Sequence, residues 1–391
     1  MTFQTRKLGE VCQILTGGTP SRTKLEYFGG GIPWVKITDM LQGTVVSTDE
    51  SLTDAGIENS SAKLMPSGTV LISIFATIGR TAVLGIEAAT NQAIAGVVPR
   101  NKAQLDSQYL RYFLDSQHGE LNRVARGVAQ PNINQGILKD LDVPLPSLDA
   151  QRNIVDILSR AEGIVRLRRE AEKKAAELIP ALFIDMFGDP ATNPKGWKQV
   201  SLGTVADVQG GLQVTKARDV HTLERPYLRV ANVHRSRLDL SEIKTIRLTE
   251  AELTRTRLMN GDLLVVEGHG NPNEIGRVAI WDGSIEGCVH QNHLIRARFN
   301  PVTLRSEYVC EFLNSRSGRQ FLLRSGKTTS GLTTISVSNV KDAAILLPSI
   351  SLQGEFALKA DAIRSIQAQQ ATAIATAQAT FDALLSRVFA A

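Results

Sequence analysis

The sequence predicts an α+β protein that carries one unit twice, each unit being a mixed α/β domain followed by a long helix. Three observations predict this class. Landmark residues of the first half recur in the same order in the second half. Short β-branched runs between glycine, proline and asparagine predict strands in both halves. Near-heptad apolar stripes of about 40 residues predict two helices that pair as an antiparallel coiled coil.

The duplication covers the chain with only small changes of register. Gly68 recurs as Gly261, 193 residues later, and Pro146 recurs as Pro348, 202 residues later. The other repeated landmarks are Leu8-Gly9 with Leu202-Gly203, Pro33 with Pro226, Gly79-Arg80 with Gly276-Arg277, Tyr109 with Tyr308, and Gln151 with Gln353. A period near half the chain excludes a solenoid, whose repeats are shorter. Two equivalent units predict pseudo-two-fold symmetry and a target with two parts.

The repeat divides the chain into five predicted segments. They are a first domain at 1–146, a first helix at 147–188, a linker at 189–197, a second domain at 198–348 and a second helix at 349–391. Within the domains, strands are predicted at Thr69–Ile72, Gly96–Val98, Leu263–Val266 and Arg277–Ile280, and helices at Ser107–Leu114 and Ser306–Leu313.

Each long helix has recognisable ends. Asp149 is a good N-cap for the first helix, with Ser351 in its place in the second, and Gly188 followed by Pro190 is a strong stop. Forty residues at about 1.5 Å each give a rod of roughly 60 Å. Pro180 has no N–H and clashes one turn back, which predicts a kink or break near Ile179. The apolar stripe must be buried, either against the duplicate helix or against the helix's own domain.

Composition describes an ordinary globular protein. Of 391 residues, 42% are hydrophobic and 21% charged, and length alone suggests two to three domains of about 150 residues. The net charge of +5 leans toward nucleic acid, although many proteins without such a partner are equally basic. Three cysteines cannot make a disulfide framework, no signal-peptide pattern opens the chain, and no apolar run reaches about 18 residues. These features predict a cytoplasmic protein without membrane contact.

No motif in the sequence predicts catalysis. The chain lacks both the glycine motif and the Asn/Asp-Pro-Pro-aromatic loop of DNA methyltransferases. The segment SGKTTS resembles the end of a phosphate loop, but Phe321 stands where glycine would be required. Cys288, His290 and His293 have no second pair of ligands, so a metal site is disfavoured. No G-x-S-x-G elbow is present. The sequence predicts a binding protein with no catalytic residue and no metal.

Polar and basic side chains are concentrated in loops that differ between the two copies. Arginine and lysine suit guanine, asparagine and glutamine suit adenine, and lysine also holds phosphate. The predicted DNA-binding residues of the first copy are Arg22, Lys24, Arg80, Arg123, Arg126, Gln130, Asn132 and Asn134. Those of the second copy are Lys216, Arg218, Arg235, Arg237, His269, Asn271, Arg277, Lys327, Thr333 and Thr334. A shared framework with divergent loops is expected of two readers with different targets, and also of duplicated loops that simply drift.

The order of these motifs resembles the specificity subunit of type I restriction–modification systems. The likeness is carried by LGEVCQILTGGTP, IPWVKITDM, NQAIAGVVP, the helix SQYLRYFL, and LKDLDVPLPSLDAQRNIVDIL before a long helix, followed by the whole series again. Its most specific element is the helix entry VPLPSLDAQRNIV. The second copy departs from it, because Gln353-Gly354 stands where the first has Gln151-Arg152.

The resemblance implies two target-recognition domains, each reading half of a bipartite asymmetric DNA site, joined by helices that set the spacer. It implies two methyltransferase subunits as partners, docked by the helices, with Gln151, Arg152 and Gln353 as partner-binding residues. Restriction subunits could join them. This chain would hold no cofactor: S-adenosylmethionine would belong to the methyltransferase, and ATP and Mg to the restriction subunit. The alternatives are a stand-alone DNA-modifying enzyme and a scaffold whose domains bind peptide.

Overall fold

The computed structural model describes residues 3–75, 77–125, 132–329 and 332–389. The chain forms two compact units, and each unit takes its residues from both predicted repeats. The first unit comprises residues 1–169 and 372–391, and the second comprises residues 170–371. The units differ from the predicted segments because each long helix is divided between them.

The described residues of the first unit form ten strands and the beginning of the first long helix. The strands are β1 Thr5–Lys7, β2 Cys12–Thr16, β3 Phe28–Val35, β4 Thr44–Val45, β5 Glu50–Leu52, β6 Val70–Ser73, β7 Thr81–Leu84, β8 Ala89–Thr90, β9 Ile94–Pro99 and β10 Asp142–Pro144. The helices are α1 Leu8–Val11, α2 Asp54–Glu58, α3 Ser107–Ser116, α4 His118–Ala125, α5 Gln135–Lys139 and α6 Leu148–Phe187, of which the last continues into the second unit. The predicted strands and the helix at Ser107–Leu114 are confirmed within a few residues.

Three sheets organise this unit. A five-stranded sheet has the order β2-β9-β6-β7-β4, a smaller one has the order β5-β3-β8, and β1 pairs with β10. The central strand β6 is buried along its whole length, as its β-branched sequence requires. Helix α3 packs in the same apolar core, so the sheet is covered on that face.

The second unit repeats this plan with additions. Its strands are β11 Lys198–Ser201, β12 Ala206–Gly210, β13 Leu223–Leu228, β14 Val233–His234, β15 Arg237–Leu238, β16 Lys244–Leu248, β17 Leu263–Val266, β18 Gly268–His269, β19 Val278–Ile280, β20 Val289–His290, β21 Leu294–Phe299, β22 Lys327–Thr329, β23 Leu332–Thr334 and β24 Ala344–Leu347. Its helices are α7 Glu250–Thr256, α8 Ser306–Asn314, α9 Gln320–Ser325, α10 Val337–Asp342 and α11 Ile350–Phe389.

The sheets of the second unit match those of the first. The order β12-β21-β17-β19 corresponds to β2-β9-β6-β7, β16-β13-β20 corresponds to β5-β3-β8, and β11-β24 corresponds to β1-β10. Two further sheets, β18-β23-β22 and β14-β15, are formed here. The duplication seen in the sequence is therefore a duplication of sheet topology.

The repeated residues are the ones that hold this topology. Gly68 and Gly261 have φ angles of +88° and +87° in the turns that lead into β6 and β17, a conformation that favours glycine. The hydroxyls of Tyr109 and Tyr308 donate to the carbonyls of Pro144 and Leu346, at 3.0 and 2.9 Å. Each tyrosine ties its helix to the strand that precedes a long helix.

The two long helices contribute one half each to both cores, and the halves run antiparallel within each unit. In the first unit, Arg169 donates to the Gln378 amide oxygen at 2.9 Å, while Leu158 lies in one core with Leu385. In the second unit, Gln367 donates to the Ala175 carbonyl at 2.7 Å, and a Phe183–Phe356 ring pair lies 5.8 Å apart. Each helix half therefore packs on both a helix partner and a domain, so the two predicted arrangements coexist.

The predicted details of the helix ends and of Pro180 are corrected. Ser147 precedes the first helix and accepts from the Ala150 N–H at 3.3 Å, and Ser349 does the same for Leu352 at 3.4 Å. Asp149 and Ser351 lie inside the first turns rather than at the caps. Helix α6 also continues through Pro180 to Phe187. Its flanks are held by burial in the apolar core of the second unit, which offsets one lost backbone hydrogen bond.

Among the described residues, no helix has both the length and the apolar character needed to cross a membrane. The three cysteines are free and buried.

Candidate nucleic-acid interface

The predicted loops of the first unit meet at one junction. The Gly18 N–H donates to the Thr90 carbonyl at 2.9 Å, and the Ile74 N–H donates to the Ala93 carbonyl at 2.8 Å. The Ile133 N–H in turn donates to the Ile74 carbonyl at 3.1 Å. The backbone therefore brings together the chain at Gly18, Ile74, residues 90–93 and Ile133, which are far apart in sequence.

The second unit forms the same junction. The Leu212 N–H donates to the His290 carbonyl at 2.9 Å, and the Glu267 N–H donates to the His293 carbonyl at 2.9 Å. The Ile335 N–H in turn donates to the Glu267 carbonyl at 2.8 Å. Gly211 is required here, because a Cβ at this position would lie 2.3 Å from the Gln291 carbonyl oxygen. The sheet β18-β23-β22 extends this junction with residues from the predicted loops. The two units thus share one backbone frame and differ in the side chains it carries.

In the first unit, Arg22 is held in place while half of its side chain remains exposed. It donates to Glu50 at 2.6 Å and stacks on Phe28 and Trp34, 4.7 and 5.0 Å from the ring centroids. Lys36 also donates to Glu50, at 2.9 Å. Hydrogen bonds from Arg22 and Lys36 hold the pKa of the Glu50 carboxyl below its usual range. Glu50 and the two aromatic rings therefore hold Arg22 in one orientation while part of its side chain stays exposed.

The other predicted residues of this unit lie around the same loops. Lys24 is exposed and donates to the Tyr27 hydroxyl at 3.0 Å, and Arg123 is exposed and paired with Glu120. Asn134 is exposed and caps α5, whereas Arg80 and Asn132 are half-buried. The predicted residues Arg126 and Gln130 lie outside the described residues.

In the second unit, several predicted residues remain available at the surface. Lys216, Arg237, Asn271 and Lys327 are exposed, and His269 and Thr334 are partly exposed. Asn271 caps the following turn by accepting from the Asn273 N–H at 3.0 Å, and its own N–H donates to His269 Nδ1 at 3.0 Å. These hydrogen bonds order the loop after β18.

Three predictions for this unit are corrected by burial or pairing. Arg277 is 6% exposed and donates to Glu274 and to the Val230 carbonyl, at 2.9 and 3.0 Å. Thr333 is 5% exposed. Arg218 makes a bidentate pair with Glu252, both bonds being 2.9 Å. These three side chains stabilise the unit and do not present their polar groups to a base edge. Arg235 is partly exposed, and it donates to the Asn273 carbonyl at 2.5 Å.

The predicted partner-binding glutamines are also corrected. Gln151 and Gln353 are fully buried. Gln151 accepts from the Asp106 N–H and donates to the Pro146 carbonyl, both at 2.9 Å. In the same way, Gln353 accepts from the Arg305 N–H at 2.8 Å and donates to the Pro348 carbonyl at 2.9 Å. Both join a long helix to its own domain and are out of reach of another subunit. Arg152 is exposed beside Asp149.

A carboxyl–imidazole pair that no sequence motif predicted lies at the centre of the second junction. Glu267 occupies the backbone position of Ile74, and His293 occupies that of Ala93. The Glu267 carboxylate lies 3.9 Å from His293 Nδ1. Burial raises the pKa of Glu267 to about 7. A residue-by-residue alignment of the two copies would have revealed this exchange of an apolar pair for a polar one.

The pKa of Glu267 predicts a pH dependence of stability. The folded chain keeps a proton that the unfolded chain loses near pH 4.5, so stability falls as the pH rises from about 4.5 to 7. We expect Glu267→Gln to unfold with a free energy up to about 3 kcal/mol higher than the parent at pH 8, and with little difference at pH 4.5. Urea unfolding at both pH values measures this, with the exposed Glu286→Gln as control. An equal effect of Glu267→Gln at both pH values would contradict it.

The cluster Cys288, His290 and His293 does not form a metal site. Among the described residues, no group of three His, Cys, Asp or Glu side chains could hold a metal ion. His290 is fully buried, its Nδ1 lies 3.2 Å from the Thr256 carbonyl oxygen, and burial lowers its pKa to about 4. It is a neutral residue of the interior.

Comparisons with known proteins agree on one family. Residues 1–177 match the model of the type I restriction modification DNA specificity domain. The specificity subunit of the EcoKI enzyme of Escherichia coli K12 is 23% identical over 389 residues, covering 92% of this chain and 82% of that subunit. Residues 1–177 therefore match a type I specificity domain, and the chain is similar to a type I specificity subunit over almost its whole length. Such subunits are the non-catalytic components of their complexes.

Other relatives match this chain over shorter lengths. The MjaIX subunit of Methanocaldococcus jannaschii is 24% identical over 59% of this chain and 58% of its own, and the EcoR124I/EcoR124II subunit of Escherichia coli is 28% identical over 44% of both. This chain thus spans about half the length of these two relatives.

Solved structures share its fold. A chain of a type I restriction–modification system aligns over 99% of this chain and 97% of its own length, with a TM-score of 0.65 at 19% identity. The S subunit from M. genitalium aligns over 100% of this chain and 96% of its own, with a TM-score of 0.53 at 13% identity.

Proposed function

We propose that this chain is a specificity subunit that reads a bipartite, asymmetric DNA site in the cytoplasm, each unit recognising one half. The observation that carries the proposal is the pair of loop junctions, which have the same backbone hydrogen bonds but different side chains. The common backbone places the base-reading loops of each unit in the same way. Because the side chains of these loops differ, each unit would recognise a different DNA sequence. Base-edge contacts from such loops supply specificity, and phosphate contacts supply position and most of the salt-dependent affinity.

The proposal extends to the complex. The two long helices would dock two methyltransferase subunits and hold the unspecified spacer at a constant length, and restriction subunits could join them. S-adenosylmethionine would be bound by the methyltransferase, and ATP and Mg by the restriction subunit. Exposed positions along the helices, including Arg152, are the proposed docking residues, since Gln151 and Gln353 are buried.

Sequencing of methylated adenines in cells that make this chain with its methyltransferase tests the function. We expect one split motif with two defined halves and a constant spacer. Methylation of DNA by the purified chain alone, with S-adenosylmethionine, would instead establish a stand-alone enzyme. A complex that is insensitive to DNA and to salt would favour a scaffold.

Arg22 gives the sharpest test of a single reader. We expect Arg22→Ala to cost about 1–3 kcal/mol at one base position of one half-site, leaving the other half-site unchanged. Binding of the assembled complex to duplexes substituted one position at a time measures this. Arg6→Ala is the matched control, because Arg6 lies on β1, on the strand pair that leads to the long helix. Equal weakening at both half-sites would remove Arg22 from the base-reading residues.

A further inference from the structure

Three arginines from separate elements of the second unit surround one carboxylate. Arg235 lies in the turn between β14 and β15, Arg277 immediately precedes β19, and Arg319 lies between α8 and α9. Glu274 lies 3.4 Å from Arg235 Nη2 and 2.9 Å from Arg277 Nη1. The charges of Arg235 and Glu274 both act on Arg319. The fold therefore concentrates three guanidinium groups around Glu274.

The positive charge of this cluster is not balanced within it. Glu274 pairs with Arg235 and Arg277 and acts on Arg319 only through its charge, and the exposed Arg316 adds a fourth positive charge that acts on Arg319. Buried Nη1 of Arg235, Nε of Arg277 and Nε of Arg319 have no hydrogen-bond partner in the part of the chain that the structure describes. Burial, and repulsion from Arg235 and Arg316, lower the pKa of Arg319. Buried donors without acceptors are costly, and an anion beside the partly exposed Arg235 and Arg319 would offset the positive charge of the cluster.

The turn that carries Arg235 is built to hold this position. Ser236 has a left-handed φ of +52°, and its N–H donates to the Val278 carbonyl at 2.9 Å. Its hydroxyl donates to Glu311 at 3.0 Å and accepts from the Asn314 amide at 2.9 Å. The turn is thereby fixed to helix α8, whose end leads to Arg316 and Arg319.

We propose that Arg235, Arg316 and Arg319 form a phosphate-binding site for the DNA backbone, with Glu274 and the buried Arg277 as positioning residues. The inference rests on the proposed function and deepens it, because it assigns this cluster to phosphate contacts rather than to base reading. Guanidinium groups are suited to phosphate, since their fixed forks donate two parallel hydrogen bonds to its oxygens. Glu274 lies in the loop after β18, so the site adjoins the junction that carries the base readers.

The test measures DNA affinity against salt for the full chain assembled with its methyltransferase subunits. The probes are a duplex carrying the methylated site and a scrambled duplex, from about 50 to 200 mM salt. We expect Arg316→Gln/Arg319→Gln to weaken both duplexes by the same factor. The slope of log affinity against log salt should fall by about 0.9 for each phosphate that the variant no longer neutralises, while the methylated motif is unchanged.

Lys198→Gln is the control, because it removes one charge from β11, on the strand pair that leads into α11. It should keep the parent slope. Arg316→Gln alone changes an exposed side chain, so it should leave folding intact. For this variant the slope of log affinity against log salt should fall by about 0.9. A parent slope in both arginine variants would overturn the phosphate site, and so would weakening of the site duplex alone, which would indicate base reading. If the parent complex itself shows no salt-dependent DNA binding, the proposed function fails as well.

Discussion

Replacing Phe183 with alanine is expected to lower the free energy of unfolding of the second unit by about 3–5 kcal/mol. Phe183 lies in the second half of α6 and is 1% exposed. Its ring centroid lies 5.1 to 6.4 Å from those of Phe187, Tyr308, Phe312 and Phe356. Alanine would leave a cavity that this ring cluster cannot fill, since its members come from three separate helices. The loss would show that a helix belonging in sequence to the first repeat completes the core of the second unit.

Urea unfolding followed by tryptophan fluorescence measures this effect. Trp197 is a suitable reporter, because its indole N–H donates to the Phe187 carbonyl at 2.9 Å. Ile184→Ala is the matched control: it changes the adjacent residue of the same helix, whose side chain is 45% exposed. We expect it to cost less than about 1 kcal/mol. If both variants lost a similar free energy of unfolding, the loss would come from helix propensity and not from core packing.

Replacing Glu162 with alanine is expected to cost about 3 kcal/mol in the first unit, because it strands a buried charge. Arg111 on α3 is only 6% exposed at its side chain and donates to Glu162 on α6 at 3.0 and 2.7 Å. Tyr112 also donates to Glu162, at 2.9 Å. Arginine cannot release its proton, so its guanidinium must remain charged in the interior. Asp115, 3.5 Å away, compensates only part of the loss.

The second unit has an equivalent ion pair in which the acidic and basic residues have exchanged places. Arg364 on α11 stands at the position of Glu162, and it pairs with Glu311 on α8 at 3.5 Å. Burial raises the pKa of Glu311, so this carboxyl can become neutral when its partner is removed. Arg364→Ala should therefore cost less than Glu162→Ala, and less at pH 5 than at pH 8. Chemical unfolding of both variants at the two pH values measures the difference, and a larger cost for Arg364→Ala would refute this explanation.

The residues that repeat in the sequence are mostly those that maintain the fold. Gly68 and Gly261 form positive-φ turns, and Tyr109 and Tyr308 tie equivalent helices and strands together. Duplication preserves such residues because backbone geometry allows few replacements. The fold class and the likeness to type I specificity subunits could be predicted for this reason, since both depend on local patterns that recur at a regular offset.

The candidate site was predicted less well, because burial and pairing depend on distant parts of the chain. Arg277 follows a loop glycine and looks like a reader, yet Glu274 and the Val230 carbonyl hold it in the interior. Gln151 looks like a helix-surface residue, yet the backbone of Asp106 and Pro146 encloses it. The sequence did not mark Arg319 as a candidate, because the charged residues that act on it, Arg235 and Glu274, come from two other loops.

The sequence by itself determined the duplicated α+β plan, the two long helices and the loops that vary between the copies. These features depend on short-range periodicity and on turn residues, which act over a few neighbours along the chain. Only the tertiary structure decided how each core is completed by parts of both helices, and which polar side chains are enclosed. The physical reason is that burial and charge pairing arise from surfaces that folding brings together from distant parts of the chain, so no local pattern encodes them.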